Sequence, residues 1–293
     1  MNLCNISNLK RLMSEFGTGT KKGFGQNFLI NEEIPLRIAQ ESCADGGEGV
    51  IEIGAGVGTL TQYLCESYKK VISVEIDKTM IPILDKTLSE YNNVKVINDD
   101  FLKLDLKSLI CENFNDMCVS VCANLPYYIT TPIIMKLLEE GMRENIRFSS
   151  ITVMVQREVA KRLCAKSGSR DYGAITASIA YYGETTELFD VSPDNFMPPP
   201  KVTSTVMKIV PYERTPYKVS NEKLLFEVIA GAFAQRRKTL SNSLSSYFNN
   251  INKEKFTDVI TSLGFDANVR GEKLSIEDFC RLTNKITEEH MNI

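Results

Sequence analysis

Residues 49–60 read GVIEIGAGVGTL, a short β-branched run that leads into alternating glycines and then into a helical stretch. Glycine lets the backbone approach a ligand closely, and the N-terminus of the following helix offers unpaired N–H groups. The spacing G-x-G-x-G differs from the G-x-G-x-x-G fingerprint of dinucleotide sites. The stretch therefore predicts a buried strand followed by a ligand-binding turn, with a plain tight turn as the alternative.

Similar short apolar runs recur along the chain, each followed by a turn and an amphipathic stretch. They lie at 71–75, 94–97, 118–123 and 151–155, and two further strands are predicted at about 186–191 and 203–210. Short apolar strands that alternate with helices are typical of a parallel sheet covered on both faces. We therefore predict an open, doubly wound α/β domain.

Helical periodicity accompanies the strands and replaces them after about residue 214. A helix capped by Asn31 is predicted to stop near Gly46-Gly47, and later helices are predicted at 221–234, 236–248, 253–263 and 275–287. We therefore predict three parts of the chain: a basic N-terminal segment (1–30), a catalytic α/β domain (31–213) and a small all-helical domain (214–293).

Composition excludes several classes of protein. The chain has 293 residues, of which 43% are hydrophobic and 24% charged, as in globular proteins. Neither a membrane span nor a signal peptide is predicted, so a cytoplasmic location is expected. The eight cysteines contain no C-x-x-C pair and suggest reduced thiols, and no metal site is predicted. The only histidine is His290, which excludes Ser-His-Asp and Cys-His chemistry.

The net charge of −3 is unevenly distributed. Residues 1–31 carry a basic excess of three, residues 32–199 an acidic excess of nine, and residues 200–293 a basic excess of three. This pattern permits a polyanion to be bound at the edges of an acidic centre, although a solvated surface is the plain alternative.

Acidic residues end two of the predicted strands. Glu75 ends the second strand, where a carboxylate in a doubly wound fold accepts both hydroxyls of a ribose. Asp99 and Asp100 end the third, where a carboxylate can accept from an adenine amine or can cap a helix before Phe101. The glycine turn and Glu75 together predict a cofactor that contains a nucleoside.

The sequence Asn124-Leu125-Pro126-Tyr127 follows the fourth predicted strand, at the sheet edge where ligands bind. The Asn124 amide oxygen and the Leu125 carbonyl, held by Pro126, suit the exocyclic amine of a planar base on which Tyr127 stacks. Hydrogen bonds from an adenine amine to these oxygens would favour a pyramidal, nucleophilic nitrogen without histidine. An Asx-type turn before a helix at Thr131-Pro132 is the structural alternative, and it leaves Tyr127 unexplained.

Several motifs together carry a family resemblance. They are GQNFL (25–29), EIGAGVG (52–58), NLPY (124–127), FMPPPKV (196–202) and FAQRRKTL (233–240). The chain, from about residue 17 to 285, resembles the S-adenosylmethionine-dependent rRNA adenine N6,N6-dimethyltransferases, most closely the small-subunit type. Ala55 departs from this pattern, since relatives often have proline there, and this change is expected to loosen the turn slightly.

The resemblance implies a mostly parallel, seven-stranded Rossmann-like methyltransferase sheet with a helical C-terminal domain. It implies transfer of methyl groups from S-adenosylmethionine, with S-adenosylhomocysteine as product and no metal. The implied acceptors are the N6 amines of two adjacent adenines in a loop near the 3′ end of 16S rRNA. The expected partner is this RNA in an immature small subunit, whose biogenesis the protein, expected to be a monomer, would serve.

Individual residues take roles from the resemblance and from the glycine turn. The cofactor role falls on Asn27, Leu29, Gly54, Gly56, Gly58, Glu75, Asp100 and Asn124, with Asp100 favoured over Asp99. The target-base and catalytic role falls on Asn124, Leu125, Pro126, Tyr127 and Phe196. Lys21, Lys22, Arg236, Arg237 and Lys238 are hypothesised to contact phosphates, with a solvated charge run as the alternative.

Other functions remain open at this stage. A 23S rRNA adenine methyltransferase that confers macrolide resistance shares the NLPY and cofactor motifs, but residues 196–202 and 235–240 favour the small-subunit type. A non-catalytic ribosome-assembly factor is a further alternative, against which the intact cofactor residues argue. A nicotinamide dehydrogenase is disfavoured by the glycine spacing and by the missing acid/base histidine.

Overall fold

The computed structural model describes residues 1–19, 26–43, 46–115, 117–126, 129–289 and 291. The chain divides into two compact units. The first unit comprises Met1–Ala160 and Thr185–Pro211, and the second comprises Lys161–Glu184 and Tyr212–Ile293.

A seven-stranded sheet forms the centre of the first unit. Its strands are β2 (Gly49–Ile53), β3 (Lys70–Glu75), β4 (Val94–Asn98), β5 (Val119–Asn124), β6 (Phe148–Gln156), β7 (Gly183–Val191) and β9 (Ser204–Pro211), in the order β4-β3-β2-β5-β6-β9-β7. The strands from β4 to β6 are parallel, and β9 is antiparallel to β6. The predicted doubly wound, mostly parallel fold is confirmed.

The strand order reverses between β2 and β5. From β2 the chain moves outward to β3 and β4, and it then returns to place β5 on the other side of β2. In doubly wound sheets the ligand crevice lies outside the carboxyl ends of the strands at such a switch point. The glycine turn after β2 and the NLPY sequence after β5 both lie at this point.

Helices join the strands and pack on the sheet. In the described part of the first unit they are α1 (Ile6–Glu15), α2 (Glu33–Ser42), α3 (Thr59–Ser67), α4 (Ile81–Thr87), α5 (Leu106–Phe114), α6 (Thr130–Arg143) and most of α7 (Arg157–Leu163). All five residues of β2 are buried, as expected for a strand covered on both faces. Asn31 accepts a hydrogen bond from the Glu33 N–H, but α2 ends at Ser42, before the predicted Gly46-Gly47.

The N-terminal segment contains a helix that the sequence analysis missed. In α1, Asn5 caps the first turn and Leu9, Leu12 and Met13 are buried. These side chains pack in one cluster with residues of α4 and with Ala55 and Val57 of the glycine turn. Residues 6–15 therefore belong to the core of the first unit and are not only a basic extension.

A short antiparallel pair, β1 (Phe28–Leu29) and β8 (Phe196–Met197), lies apart from the main sheet. Phe28 lies opposite Met197 and Leu29 opposite Phe196. This pairing brings the predicted motif at 25–29 to the predicted motif at 196–202, across more than half of the sequence.

The described second unit is helical. It contains α8 (Ala174–Tyr182), α9 (Glu222–Ala234), α10 (Leu240–Tyr247), α11 (Lys253–Ser262) and α12 (Ile276–Glu288). The predicted boundary at residue 213 differs from the observed division, because α8 packs against α9 and α12 and so takes 161–184 into this unit. No helix in the described ranges is long and apolar enough to cross a lipid bilayer.

The predicted helix at 236–248 begins later than expected. Residues 236–238 form a turn in which the Lys238 N–H donates to the Gln235 carbonyl at 2.8 Å. Thr239 then has extended backbone angles, and its hydroxyl accepts from the Asn242 N–H at 3.4 Å. This cap starts α10 at Leu240 and leaves the basic residues on a turn.

Candidate active site

The glycine turn connects β2 to α3 through left-handed backbone conformations. Gly54, Gly56 and Gly58 have φ angles of 83°, 58° and 91°, a region that other L-residues rarely adopt. The Gly54 N–H donates to the Val74 carbonyl at 2.8 Å, which ties the turn to β3. The sequence expectation of a turn that requires glycine is therefore met.

Glu75 ends β3 beside this turn and is only 5% exposed. Its Oε2 accepts from the Gly56 N–H at 2.7 Å, and its Oε1 accepts from the Asp77 N–H at 2.8 Å. Burial raises the pKa of the carboxyl above its usual value, while these backbone donors oppose that shift. Each carboxylate oxygen keeps further acceptor capacity, so both can receive a hydroxyl of a vicinal diol.

The adjacent acids Asp99 and Asp100 follow β4. Asp99 accepts from the Asp100 N–H at 2.7 Å, and Asp100 accepts from the Leu102 N–H at 3.1 Å. Neither caps an α-helix at Phe101, because α5 begins at Leu106 with Asp105 as its cap. The helix-cap alternative for these acids is therefore wrong.

Asn124 ends β5 on the other side of β2. Its Nδ2 donates to the Asn27 carbonyl at 3.4 Å, which makes Oδ1 the acceptor of this side chain. The Leu125 N–H donates to the Met154 carbonyl at 3.3 Å, and the Pro126 carbonyl accepts from the Ile129 N–H at 3.2 Å. These bonds hold the Asn-Leu-Pro backbone against β6 and the start of α6.

A cavity of about 280 Å³ unites these groups at the sheet edge. Most of the predicted site residues line it: Asn27, Leu29, Gly54, Gly56, Glu75, Asp100, Asn124, Leu125, Pro126 and Phe196. Asp99 lines it as well, so the preference for Asp100 stays a prediction. Phe196 is 3% exposed and packs in the same core cluster as Leu29, so its ring is part of a buried wall.

A sequence model of the family described as "Ribosomal RNA adenine dimethylase" matches residues 17–288. The chain belongs to this family. A "Ribosomal RNA small subunit methyltransferase A" from Lachnoclostridium phytofermentans is 45% identical over 271 residues, which cover 92% of either chain. A protein of the same name from Bacillus mycoides is 42% identical over 280 residues, covering 94% of either chain. The predicted family and enzyme class are confirmed.

Solved structures agree with the fold. The crystal structure of a dimethyladenosine transferase from Plasmodium falciparum superposes with a TM-score of 0.74 at 27% identity, covering 90% of this chain and 98% of that one. The 23S rRNA methyltransferase ErmE superposes with a TM-score of 0.68 at 22% identity, covering 89% and 100%. At 22% identity, the likeness to ErmE shows only that the fold is shared.

Other predicted site residues either do not line this cavity or lie outside the described residues. Gly58 is not among the cavity-lining residues that the structure describes, since it starts α3 and an added Cβ would meet Thr87 Oγ1 at 3.0 Å. It packs closely against α4 and the residue that follows it, and its cofactor role stays a prediction. Tyr127, Lys21 and Lys22 lie outside the described residues.

The basic cluster of the second unit separates into different roles. Arg236 donates to the carbonyls of Arg170 and Tyr172 and lies 3.7 Å from the Glu272 carboxylate. These contacts hold the loop before α8, so Arg236 has a structural role in this unit, and its phosphate contact stays a prediction. Arg237 and Lys238 are exposed on the turn before α10.

Sequence reasoning missed apolar residues of the dimethylase cavity. Ile76 directly follows Glu75 and is 51% exposed, and Leu102 follows Asp100 by two residues and is 36% exposed. Both line the cavity, together with the buried Phe28 and with Gln26. The sequence did carry a signal for Ile76 and Leu102. Each is an apolar residue shortly after an acid at a strand end, where an exposed position is expected to be polar.

Proposed function

We propose that the protein transfers methyl groups from S-adenosylmethionine to the N6 amines of two adjacent adenines in a loop near the 3′ end of 16S rRNA, giving N6,N6-dimethyladenosine. One observation carries the proposal: the Asn-Leu-Pro backbone and a diol-binding acid line the same cavity at the switch point of the sheet. Relatives at 42–45% identity bear the name of a small-subunit rRNA methyltransferase, which supports this choice of RNA.

The residues of the cavity fit S-adenosylmethionine. The Glu75 oxygens match a ribose diol, and an acid after β4 matches an adenine amine. The exposed side chains of Ile76 and Leu102 suit the faces of a purine, since exposed apolar groups in a concave site are typical of ligand contacts. An added Cβ at Gly54 would meet only the Asn124 carbonyl, at 3.9 Å, so this side of the turn has room for a ligand.

In this proposal the cofactor is held by Asn27, Leu29, Gly54, Gly56, Glu75, Asp100 and Asn124. Such a cofactor supplies an electrophilic methyl group on a positively charged sulfur. The protein's part is to hold the adenine in place and to exclude water. Positioning of this kind can contribute roughly 7–11 kcal/mol to catalysis.

The Asn124 Oδ1 and the Leu125 carbonyl accept hydrogen bonds from the adenine amine. These bonds favour a pyramidal nitrogen whose lone pair is available for attack. Once the nitrogen has gained the methyl group it is cationic, and its excess proton passes to water, so no histidine is required. Tyr127 stacks on the base, a contact worth roughly 1–3 kcal/mol.

An adenine inside a helix cannot present its amine in this way, so the target nucleotide lies in a loop or is flipped out. The proposed phosphate contacts are Lys21, Lys22, Arg237 and Lys238. We further propose that the protein acts as a cytoplasmic monomer on an immature small subunit and contributes to its biogenesis. Family membership supports these last points.

The experiment that tests the proposal uses separate, unmethylated small and large ribosomal subunits. Each is incubated with purified protein and methyl-labelled S-adenosylmethionine, and the RNA is digested to nucleosides. We expect label on the small subunit alone, recovered as N6,N6-dimethyladenosine, and labelling slower on the order of 100-fold with Asn124→Ala. Label confined to the large subunit, or on neither subunit, would overturn the proposal.

A further inference from the structure

Gln26 and Asp77 join two distant parts of the first unit. The Gln26 Nε2 donates to the Asp77 Oδ2 at 3.2 Å across 51 positions of sequence. Gln26 opens the segment Gln26–Leu29, which we call the strap, and Asp77 follows Glu75 by two residues. The contact therefore connects the strap to the loop that carries the diol-binding acid.

The Asp77 side of this contact is rigidly held. Asp77 is 3% exposed, and its Oδ1 accepts from both the backbone N–H of Thr79, at 3.0 Å, and the Thr79 hydroxyl, at 2.7 Å. Its own N–H donates to the Glu75 Oε1. Because Oδ1 is engaged by Thr79, Oδ2 is the oxygen through which Asp77 contacts the strap.

The other end of the strap reaches the base side of the cavity. The Asn27 carbonyl accepts from Asn124 Nδ2, and Leu29 lies opposite Phe196 in the β1–β8 pair. The Phe28 ring packs over the glycine turn, where an added Cβ on Gly56 would lie 3.1 Å from Phe28 Cε1. The strap thus spans the cavity from Glu75 to Asn124.

We infer that the Gln26–Asp77 hydrogen bond is a latch that holds the strap across the cofactor cavity and slows release of the cofactor. This inference rests on the proposed function. Gln26 is a positioning residue that acts through Asp77. Without the latch the strap loses a contact beside Glu75 but keeps those to Asn124, to Phe196 and to the glycine turn, so the cofactor leaves more readily while the acceptors for the adenine amine stay in place.

A swap of the two side-chain types tests the latch. Gln26→Glu places two carboxylates in contact and removes the donor, whereas Asp77→Asn keeps Oδ1 for Thr79 and turns an amide toward residue 26. The double variant therefore restores an amide–carboxylate hydrogen bond with its direction reversed. Gln26→Ala removes the donor without adding charge and serves if Gln26→Glu does not fold.

Binding of S-adenosylhomocysteine is measured by calorimetry. We expect Gln26→Glu to weaken it about 10-fold or more, as loss of a hydrogen bond to a charged group predicts. The double variant should bind S-adenosylhomocysteine with an affinity within about threefold of that of Asp77→Asn, because a charge-assisted hydrogen bond between the two positions is restored. In steady-state assays the KM for S-adenosylmethionine should rise while kcat at saturation stays near that of the wild type.

A second readout needs no ligand. Amide hydrogen exchange at Phe28, Leu29 and Ile30 should accelerate in ligand-free Gln26→Glu and slow again in the double variant. A double variant no better than Gln26→Glu in both readouts would overturn the latch and indicate that Gln26 contacts the ligand directly. Wild-type protein that fails to bind S-adenosylhomocysteine would instead contradict the proposed function, and the exchange data would still decide the latch.

Discussion

The Glu75 carboxylate accepts a hydrogen bond from the backbone N–H of Gly56 at 2.7 Å. This bond joins the acid after β3 to the glycine turn after β2, across two neighbouring parallel strands. The acid and the turn are therefore one structural unit, and a change in either should displace the other.

Gly56→Ala should damage the cofactor site. An alanine at φ 58° is strained, by roughly 1–2 kcal/mol, and its Cβ would also meet the Phe28 ring. We expect at least about a 10-fold loss of S-adenosylhomocysteine affinity, the factor that 1.4 kcal/mol represents. Gly264→Ala is the matched control, since φ is 86° there and the surrounding space is open. It should lower stability in urea unfolding without changing affinity.

Glu75→Gln should weaken cofactor binding and remove its pH dependence. Burial raises the pKa of Glu75, so the carboxyl takes up a proton at a higher pH than an exposed glutamate. The ionised form accepts from both ribose hydroxyls, and affinity should therefore fall as pH is lowered through this raised pKa. Calorimetric titrations from pH 8 downward check this. A wild-type affinity that stays constant through mildly acidic pH would contradict the assigned role.

Glu52→Gln should flatten the dependence of stability on pH. Glu52 is 1% exposed, and its Oε2 accepts from Thr61 and Ser73 at 2.7 and 2.6 Å. Burial raises its pKa from 4.5 to about 7. The folded state thus holds a proton that the unfolded state loses first, and stability falls as pH rises from about 4.5 through about 7, by up to about 3 kcal/mol.

Urea unfolding of Glu52→Gln and wild type at pH 5 and pH 8.5 measures this difference. Glutamine mimics the protonated acid, so the variant should gain stability relative to wild type at the higher pH. Glu48→Gln is the control, because Glu48 is on the surface and its pKa is lowered by the Cys118 N–H and by Lys69. If Glu52→Gln lost as much stability as the wild type between pH 5 and pH 8.5, groups other than Glu52 would be responsible for that loss.

Asn124→Ala should reduce methyl transfer far more than RNA binding. The side-chain oxygen is assigned to the adenine amine, and loss of one such preorganised group costs on the order of 100-fold in rate. Single-turnover assays with a gel-based RNA affinity measurement separate the effects, and Tyr127→Ala should behave similarly. If RNA affinity and rate fell by equal factors, the motif would have a structural role instead.

Arg237→Gln with Lys238→Gln should weaken RNA binding and reduce its salt dependence. Each lost phosphate contact should lower the slope of log affinity against log salt by roughly 0.7–0.9. Arg236→Gln should instead destabilise the second unit, because Arg236 holds the Arg170 and Tyr172 carbonyls. Lys223→Gln with Lys253→Gln, two neutralisations at the exposed starts of α9 and α11, is the charge-matched control. An unchanged salt slope in the double variant would remove the phosphate assignment.

Sequence patterns predicted the sheet well and the helix boundaries less well. The strands of the parallel sheet are covered on both faces, so each is visible as a local apolar run. The predicted start of α10 at residue 236 was wrong. The cap at Thr239 and the turn at 236–238 depend on local hydrogen bonds, which periodicity does not report. The helix α1 was missed although it carries a local signal, since Asn5 caps its first turn and Leu9, Leu12 and Met13 follow at helical spacing.

The candidate site shows the same division. Glycines with positive φ and acids at strand ends are recognisable because their chemistry is local to a few residues. The close packing of Gly58 on α4 was not foreseen, because a glycine in the sequence does not say whether a ligand or a neighbouring helix approaches it. Likewise, the sequence does not report the structural bonds of Arg236 to distant carbonyls.

The sequence by itself determined the fold class, the family and a set of site residues of which most line the cavity, because short-range patterns and motifs encode them. Tertiary structure alone decided which distant segments meet: the strap with Asp77, Asn27 with Asn124, and Arg236 with the loop before α8. Such contacts depend on the folding of the whole chain, since each partner satisfies its hydrogen bonds only when strands far apart in sequence have been placed side by side.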